Sequence, residues 1–203
     1  MLRVSDLACA RGGFPVLEGV RFEIGPGEAI LLRGPNGCGK TTLLRTIVGL
    51  QPQTAGAIAV DPDSIAYCGH LNGIKPMLTV AENLEFWAAV YSMRPIDQAL
   101  EAFGISGLRD RLARNLSAGQ CRRLGLARIL VTGCPIWALD EPTVSLDADG
   151  IELFTRTMRG HLESGGSAIV ATHSDLNTDA RELDVAGFRV RAKAGTTFDR
   201  AFR

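Results

Sequence analysis

Along roughly the first 33 residues, apolar and polar side chains alternate in short pieces: Leu2-Arg3-Val4, Val16-Leu17, then Val20-Arg21-Phe22-Glu23-Ile24. Period-two alternation broken by turns such as Gly25-Pro26-Gly27 predicts an antiparallel sheet at the N-terminus. The pattern changes at Ala29-Ile30-Leu31-Leu32, a continuous apolar run that reads as a buried strand. Leu43 to Val48 has helical spacing and stops at Gly49. Gln51 to Gly56 reads as a turn, followed by short strands at Ala57 to Val60 and Ile65 to Cys68. From about 71 to 131 the character is helical. Thr79 and Glu82 form a capping box, Leu84, Trp87, Ala88 and Tyr91 share a face, and a second helix from Ile96 to Phe103 stops at Gly104 after a break at Pro95. Ile136 to Leu139 and Ala168 to Ala171 are apolar throughout, as parallel strands buried on both faces are, with a crossover helix from Ile151 to Leu162 between them. Residues 188 to 203 are weakly patterned, and no internal repeat is visible. The expected architecture is α/β: one domain over 1–203, a parallel-sheet core from 1–70 and 132–203, an N-terminal antiparallel β sub-domain, and a helical sub-domain inserted at about 71–131.

Between the apolar strand and the helix at Leu43 lies Gly34-Pro35-Asn36-Gly37-Cys38-Gly39-Lys40-Thr41-Thr42, which fits G-x-x-x-x-G-K-[ST]. Strand, glycine loop and helix in this order form the phosphate-binding unit of P-loop NTPases, built on a RecA-like parallel sheet. Glycines let backbone N–H groups close around a phosphate chain, and the helix adds its positive end. Lys40 is expected on the β- and γ-phosphates, and the Thr41 hydroxyl on Mg²⁺. Without strand and helix, the same string would be a glycine-rich turn with a chance lysine.

Composition narrows the reading. A chain of 203 residues with 46% hydrophobic and 22% charged residues is ordinary globular material. Its 22 basic and 22 acidic side chains cancel, which argues against nucleic acid as a partner and leaves little repulsion between copies. Five cysteines without a C-x-x-C pair fit free thiols in a reducing compartment. Met1 to Asp6 has no apolar stretch of a signal peptide, and no apolar run nears the ~18 residues of a membrane span. A cytoplasmic protein is expected, with any membrane link made through a partner.

Leu116-Ser117-Ala118-Gly119-Gln120 opens a helix in which Ser117 is a good N-cap and Ala118 and Gly119 leave the start sterically open, a setting suited to a terminal phosphate. With Ile136-Trp137-Ala138-Leu139-Asp140-Glu141-Pro142 downstream, the chain resembles the ATP-binding cassette (ABC) family over nearly its whole length. The resemblance makes Ser117, Ala118, Gly119 and Gln120 the family's signature, which meets ATP bound by another copy. It makes Asp140 the residue holding Mg²⁺ through water, and Glu141 the one polarising the attacking water. Ser145-Leu146-Asp147 matches the loop that runs between two copies, with Asp147 in a coupling role. His173, before Ser174-Asp175, matches the histidine that contacts the γ-phosphate.

Two positions depart from the family pattern. The residue leading into the helical sub-domain is normally glutamine, and here it is His70. The early aromatic residue that stacks on adenine aligns near Arg11, with Phe14 beyond it, and an arginine plane can also stack on a base. Within the family, Gly69-His70-Leu71-Asn72-Gly73-Ile74-Lys75, Trp137 and the short C-terminus resemble the ATP-binding subunits of the bacterial cytochrome c maturation system. That resemblance implies an ATPase using ATP and Mg²⁺, two stacked copies, an integral permease as membrane partner, a peripheral place on the cytoplasmic face of the inner membrane, and haem as cargo or haem release at a chaperone as task. The alternatives are the ATP-binding subunit of a different ABC transporter or a soluble ABC ATPase, which carries a tandem cassette or coiled-coil insertion. A non-hydrolysing nucleotide scaffold would lack Glu141 or His173.

Overall fold

The alternating N-terminal segments become Leu2–Arg11 (β1) and Phe14–Ile24 (β2), paired antiparallel from Leu2 opposite Ile24 to Arg11 opposite Phe14 in the computed structural model. The structure describes residues 1–91, 95–174, 176 and 178–190. Gln53–Ala59 (β4) joins the other edge of β1, giving a three-stranded antiparallel sheet in the order β2-β1-β4. Here the turn expected at 51–56 is corrected, since β4 already begins at Gln53. Gly56 is not a turn residue but the centre of an irregularity, where the pairing shifts between Ser5 and Ala8. Its φ is +81°, and a Cβ there would stand 2.3 Å from the carbonyl oxygen of Asp6.

The apolar runs form a second sheet. Ala29–Arg33 (β3), Ile65–Cys68 (β5), Ile136–Asp140 (β6), Ser167–Ala171 (β7) and Arg181–Asp184 (β8) lie in the order β5-β6-β7-β3-β8, and all pairs are parallel. β6 and β7 are buried at every residue, as the absence of polar alternation demands. β8 was not expected from the sequence: Arg181-Glu182-Leu183-Asp184 has no apolar run, because an edge strand beside β3 can leave its side chains in water. Most of the stretch 188–203, and Asp175, lie outside the described residues.

Each face of the parallel sheet carries its own core. One face packs Ile30, Leu32, Ala138 and Ile169 against the helix Lys40–Ile47 (α1) and the antiparallel sheet. The other packs Leu31, Trp137, Leu139 and Val170 against Val80–Tyr91 (α2), Ile96–Ala102 (α3), Ala118–Thr132 (α4) and Ala148–Glu163 (α5). The helical segment therefore shares its core with the sheet. Thr79 and Glu82 do cap α2 reciprocally, with N–H to oxygen distances of 2.7 and 3.1 Å. Arg128 ties α4 to the rest, donating to the Tyr67 carbonyl at 2.9 Å while its guanidinium lies 4.6 Å from the centre of the Trp87 ring. No helix among the described residues is long and apolar enough to cross a membrane.

Candidate active site

β3 is flanked by β7 and β8, and the glycine loop leaves its C-terminal end, where open α/β sheets form their ligand crevice. The loop can be this tight only with glycine at Gly34 and Gly39, whose φ values are +133° and +116°. A Cβ on Gly34 would stand 2.8 Å from Cys38 Sγ, so the fully buried Cys38 thiol packs under the loop and lends it no side chain. Gly39 starts α1 with no side-chain cap, leaving first-turn N–H groups to serve an anion. Lys40 is buried to within 7% of its surface and donates from Nζ to the Gly34 carbonyl at 2.7 Å and the Pro35 carbonyl at 3.4 Å.

His173 reaches this loop from beyond β7. Its Nε2 is 3.1 Å from Lys40 Nζ, 2.8 Å from Asn36 Oδ1 and 3.5 Å from Glu141 Oε1. One nitrogen cannot serve all three at once. Bare, it accepts from Lys40; protonated, it donates to Asn36 or Glu141. Arg33, at the end of β3, steadies the turn carrying His173 by donating to the carbonyls of Thr172 and Ser174 at 3.0 and 2.8 Å. Glu141 sits one residue past the buried β6 with φ +48°, a left-handed conformation that a side chain of this size seldom adopts.

A concavity of about 260 Å³ gathers Arg11, Asn36, Gly37, Gly39, Lys40, Thr41, Thr42, His70, Asp140 and Glu141. Val16 completes its wall, an apolar residue of β2 that motif reading did not single out; Phe14 stands exposed beyond it. Ser117, Gly119, Gln120 and Asp147 are not in this group. They line a separate hollow of about 410 Å³ with Gly104, Arg123 and Ser145. Ala118 lies between Ser117 and Gly119 as the first residue of α4. Ser117 and Gln120 cap α4 reciprocally at 3.2 and 3.0 Å. The Arg123 guanidinium, and then the Gly150 backbone N–H, hold the Asp147 carboxyl below its usual range.

The family model described as ABC transporter matches residues 17–144, a span holding the glycine loop, the capped α4 and Glu141. The chain belongs to the ABC transporter family. It is 63% identical over 190 residues to the cytochrome c biogenesis ATP-binding export protein CcmA of Ruegeria pomeroyi, covering 94% of this chain and 93% of that protein. With the protein of the same description from Cereibacter sphaeroides it shares 57% over 196 residues, 96% of this chain and 93% of the other. Among solved structures, cbiO1 of Clostridium perfringens, part of the ABC transporter complex cbiONQ, superposes with a TM-score of 0.71 at 28% identity, covering 85% of this chain and 78% of that one.

In this ABC transporter chain the motif residues that line hollows do so in two sets with no residue in common. The loop set and the signature set open into different hollows. Arg33, Val16 and Arg122 take part in the architecture although no motif assigns them a role, Arg122 standing just beyond the signature residues. Arg33 and Arg122 act on backbone carbonyls brought from distant segments, so no local spacing announces them.

Proposed function

We propose that this chain is the ATP-hydrolysing, energy-coupling subunit of an inner-membrane complex for c-type cytochrome biogenesis. Its likeness to relatives of that description over more than nine-tenths of its length supports the pathway. The observation that carries hydrolysis, as opposed to binding alone, is the Glu141 carboxylate beside the phosphate loop, 3.5 Å from His173 Nε2.

The β- and γ-phosphates lie along the loop, and Lys40 exchanges the Gly34 and Pro35 carbonyls for phosphate oxygens. Gly34, Pro35, Asn36, Gly37, Cys38, Gly39, Thr41 and Thr42 contribute backbone or hydroxyl groups, and Arg11 stacks on the base. Glu141 orients a water for in-line attack, while His173 donates from Nε2 to the γ-phosphate. Catalysis is positioning and charge stabilisation, since phosphoryl transfer asks for little else. Thr41 and Asp140 both line this concavity; the Thr41 hydroxyl directly and the Asp140 carboxylate through water would hold Mg²⁺, a hard ion that keeps much of its hydration shell. When bound it neutralises charge on the phosphates.

Because the signature residues open into their own hollow, Ser117, Ala118, Gly119 and Gln120 close over ATP held by a second copy, with Asp147 at the seam. The helical unit at about 71–131 then shifts with His70 against an integral permease, a gating motion that couples ATP to work. The chain is peripheral, on the cytoplasmic face, and meets the membrane only through that partner; nucleic acid has no part. Haem is the cargo, exported or released to a periplasmic chaperone.

The test is complementation of a deletion strain, with ATP turnover of the purified complex measured alongside. Wild type restores covalent c-type cytochromes. Lys40→Ala loses at least tenfold in ATP affinity, whereas Glu141→Gln keeps its affinity, loses on the order of 10²-fold in turnover and fails to complement. Normal cytochromes in the deletion strain, or wild-type turnover in Glu141→Gln, overturns the proposal.

A further inference from the structure

Arg122 is the fifth residue of α4 and is only 4% exposed, yet no carboxylate among the described residues pairs with it at ion-pair distance. A buried charge is tolerated only when hydrogen bonds replace its lost water. Arg122 meets that demand from all three guanidinium nitrogens. Nε donates to the Pro142 carbonyl at 3.0 Å. Nη2 donates to the carbonyls of Asp140 at 3.0 Å and Glu141 at 2.8 Å. Nη1 donates to the Gly69 carbonyl and to Asn72 Oδ1, both at 2.8 Å, and lies 3.6 Å from Cys68 Sγ.

Three successive carbonyls do not converge in a strand, where they point alternately to opposite sides. They converge here because the chain reverses at Glu141 with φ +48°. The guanidinium is the point on which the reversal closes. Its other edge holds the turn on either side of His70, through Gly69 and Asn72. Gly125, three residues further along α4, allows that approach: a Cβ there would lie 2.8 Å from Asn72 Cβ. Ser117 caps the same helix five residues before Arg122, about 7.5 Å along its axis. One charged group thus joins the signature helix, the His70 turn and the Glu141 turn.

We propose that Arg122 is a positioning residue for ATP hydrolysis: through it, α4 fixes the aim of Glu141 and ties that turn to the turn bearing His70. This rests on the ATPase reading above, in which Glu141 orients the water. Lysine cannot replace the arrangement, because its three donors radiate from one nitrogen and cannot span five acceptors on two segments.

The experiment uses the full chain with its membrane subunits and compares kcat, KM for ATP and affinity for a fluorescent ATP analogue. Arg122→Lys is expected to lower kcat at least tenfold with analogue affinity within twofold of wild type. A kcat within twofold of wild type overturns the proposal, as does a loss confined to affinity. Single-turnover rates separate the two readings. Glu141→Gln alone tests the water-orienting role. Adding Arg122→Lys to it slows the residual rate less than twofold if Arg122 acts through Glu141; a further tenfold loss overturns the positioning role and leaves the ATPase reading intact. Should Arg122→Lys lack a cooperative melt, Asn72→Ala carries the test. It leaves the guanidinium in place and removes one anchor on the His70 side. A several-fold lower kcat at unchanged affinity supports the link, and a wild-type kcat overturns it.

Discussion

Burial pushes the Tyr67 phenol up to about 12, with the Asp140 carboxylate the next largest cause and Arg45 and Arg122 pulling the other way. Between pH 10 and 12 the unfolded chain gives up this proton while the folded chain keeps it. The associated stability is therefore whole below about 10 and lost as pH climbs towards 12. An ultraviolet titration of tyrosine should show a late step that Tyr67→Phe abolishes and Asp140→Asn moves to lower pH. An Asp140→Asn protein with an unmoved late step would separate the two groups. The residues with chemistry in their own side chains, Lys40, Glu141 and His173, stand in strings short enough to read from sequence. The roles of Arg122 and Arg33 do not, because most of their partners are backbone carbonyls, which every residue has, delivered by segments 18 to 53 and 139 to 141 positions away.

Elements with reciprocal caps were legible for the same reason: the cap is a contact between residues three apart. Thr79 with Glu82 forms as the spacing requires, and Ser117 caps α4 as expected, with a return bond to Gln120 that the N-cap reading alone did not include. Ser117→Ala should cost about 1 kcal/mol of stability in chemical denaturation, the usual cost of an N-cap serine. A loss below a few tenths would mean that packing alone holds the start of α4. Elements that failed to show were those whose rule is tertiary. β4 was cut short in the sequence reading because Gly56 there serves a close crossing over Asp6, not a turn. β8 carried no apolar pattern because β3 supplies its pairing and water covers Arg181, Glu182 and Asp184, leaving Leu183 alone against the core.

For the whole molecule, period-two and continuous apolar runs were enough to divide the antiparallel from the parallel sheet. Strand order was not, since a buried strand reads alike at any interior position of a sheet. The two hollows, one around Lys40 and Glu141 and one around Ser117 and Gly119, share no residue. The proposed site therefore places one ATP between two chains, each supplying one hollow. Glu141→Gln with ATP and Mg²⁺ should run as a dimer in size exclusion with light scattering, and as a monomer without nucleotide. Replacing Ser117 by arginine should leave it monomeric in both conditions. A nucleotide-bound Glu141→Gln protein that stays monomeric would refute the shared site. The left-handed backbone at Glu141 sets a limit on how such a chain can improve. Glycine, which has no Cβ, would adopt that φ without the ~1–2 kcal/mol strain that a side chain such as glutamate bears there. Selection for a sturdier fold alone would therefore favour losing the carboxylate. Glutamate at this turn marks a position where the most durable version of the molecule and the working one are different molecules.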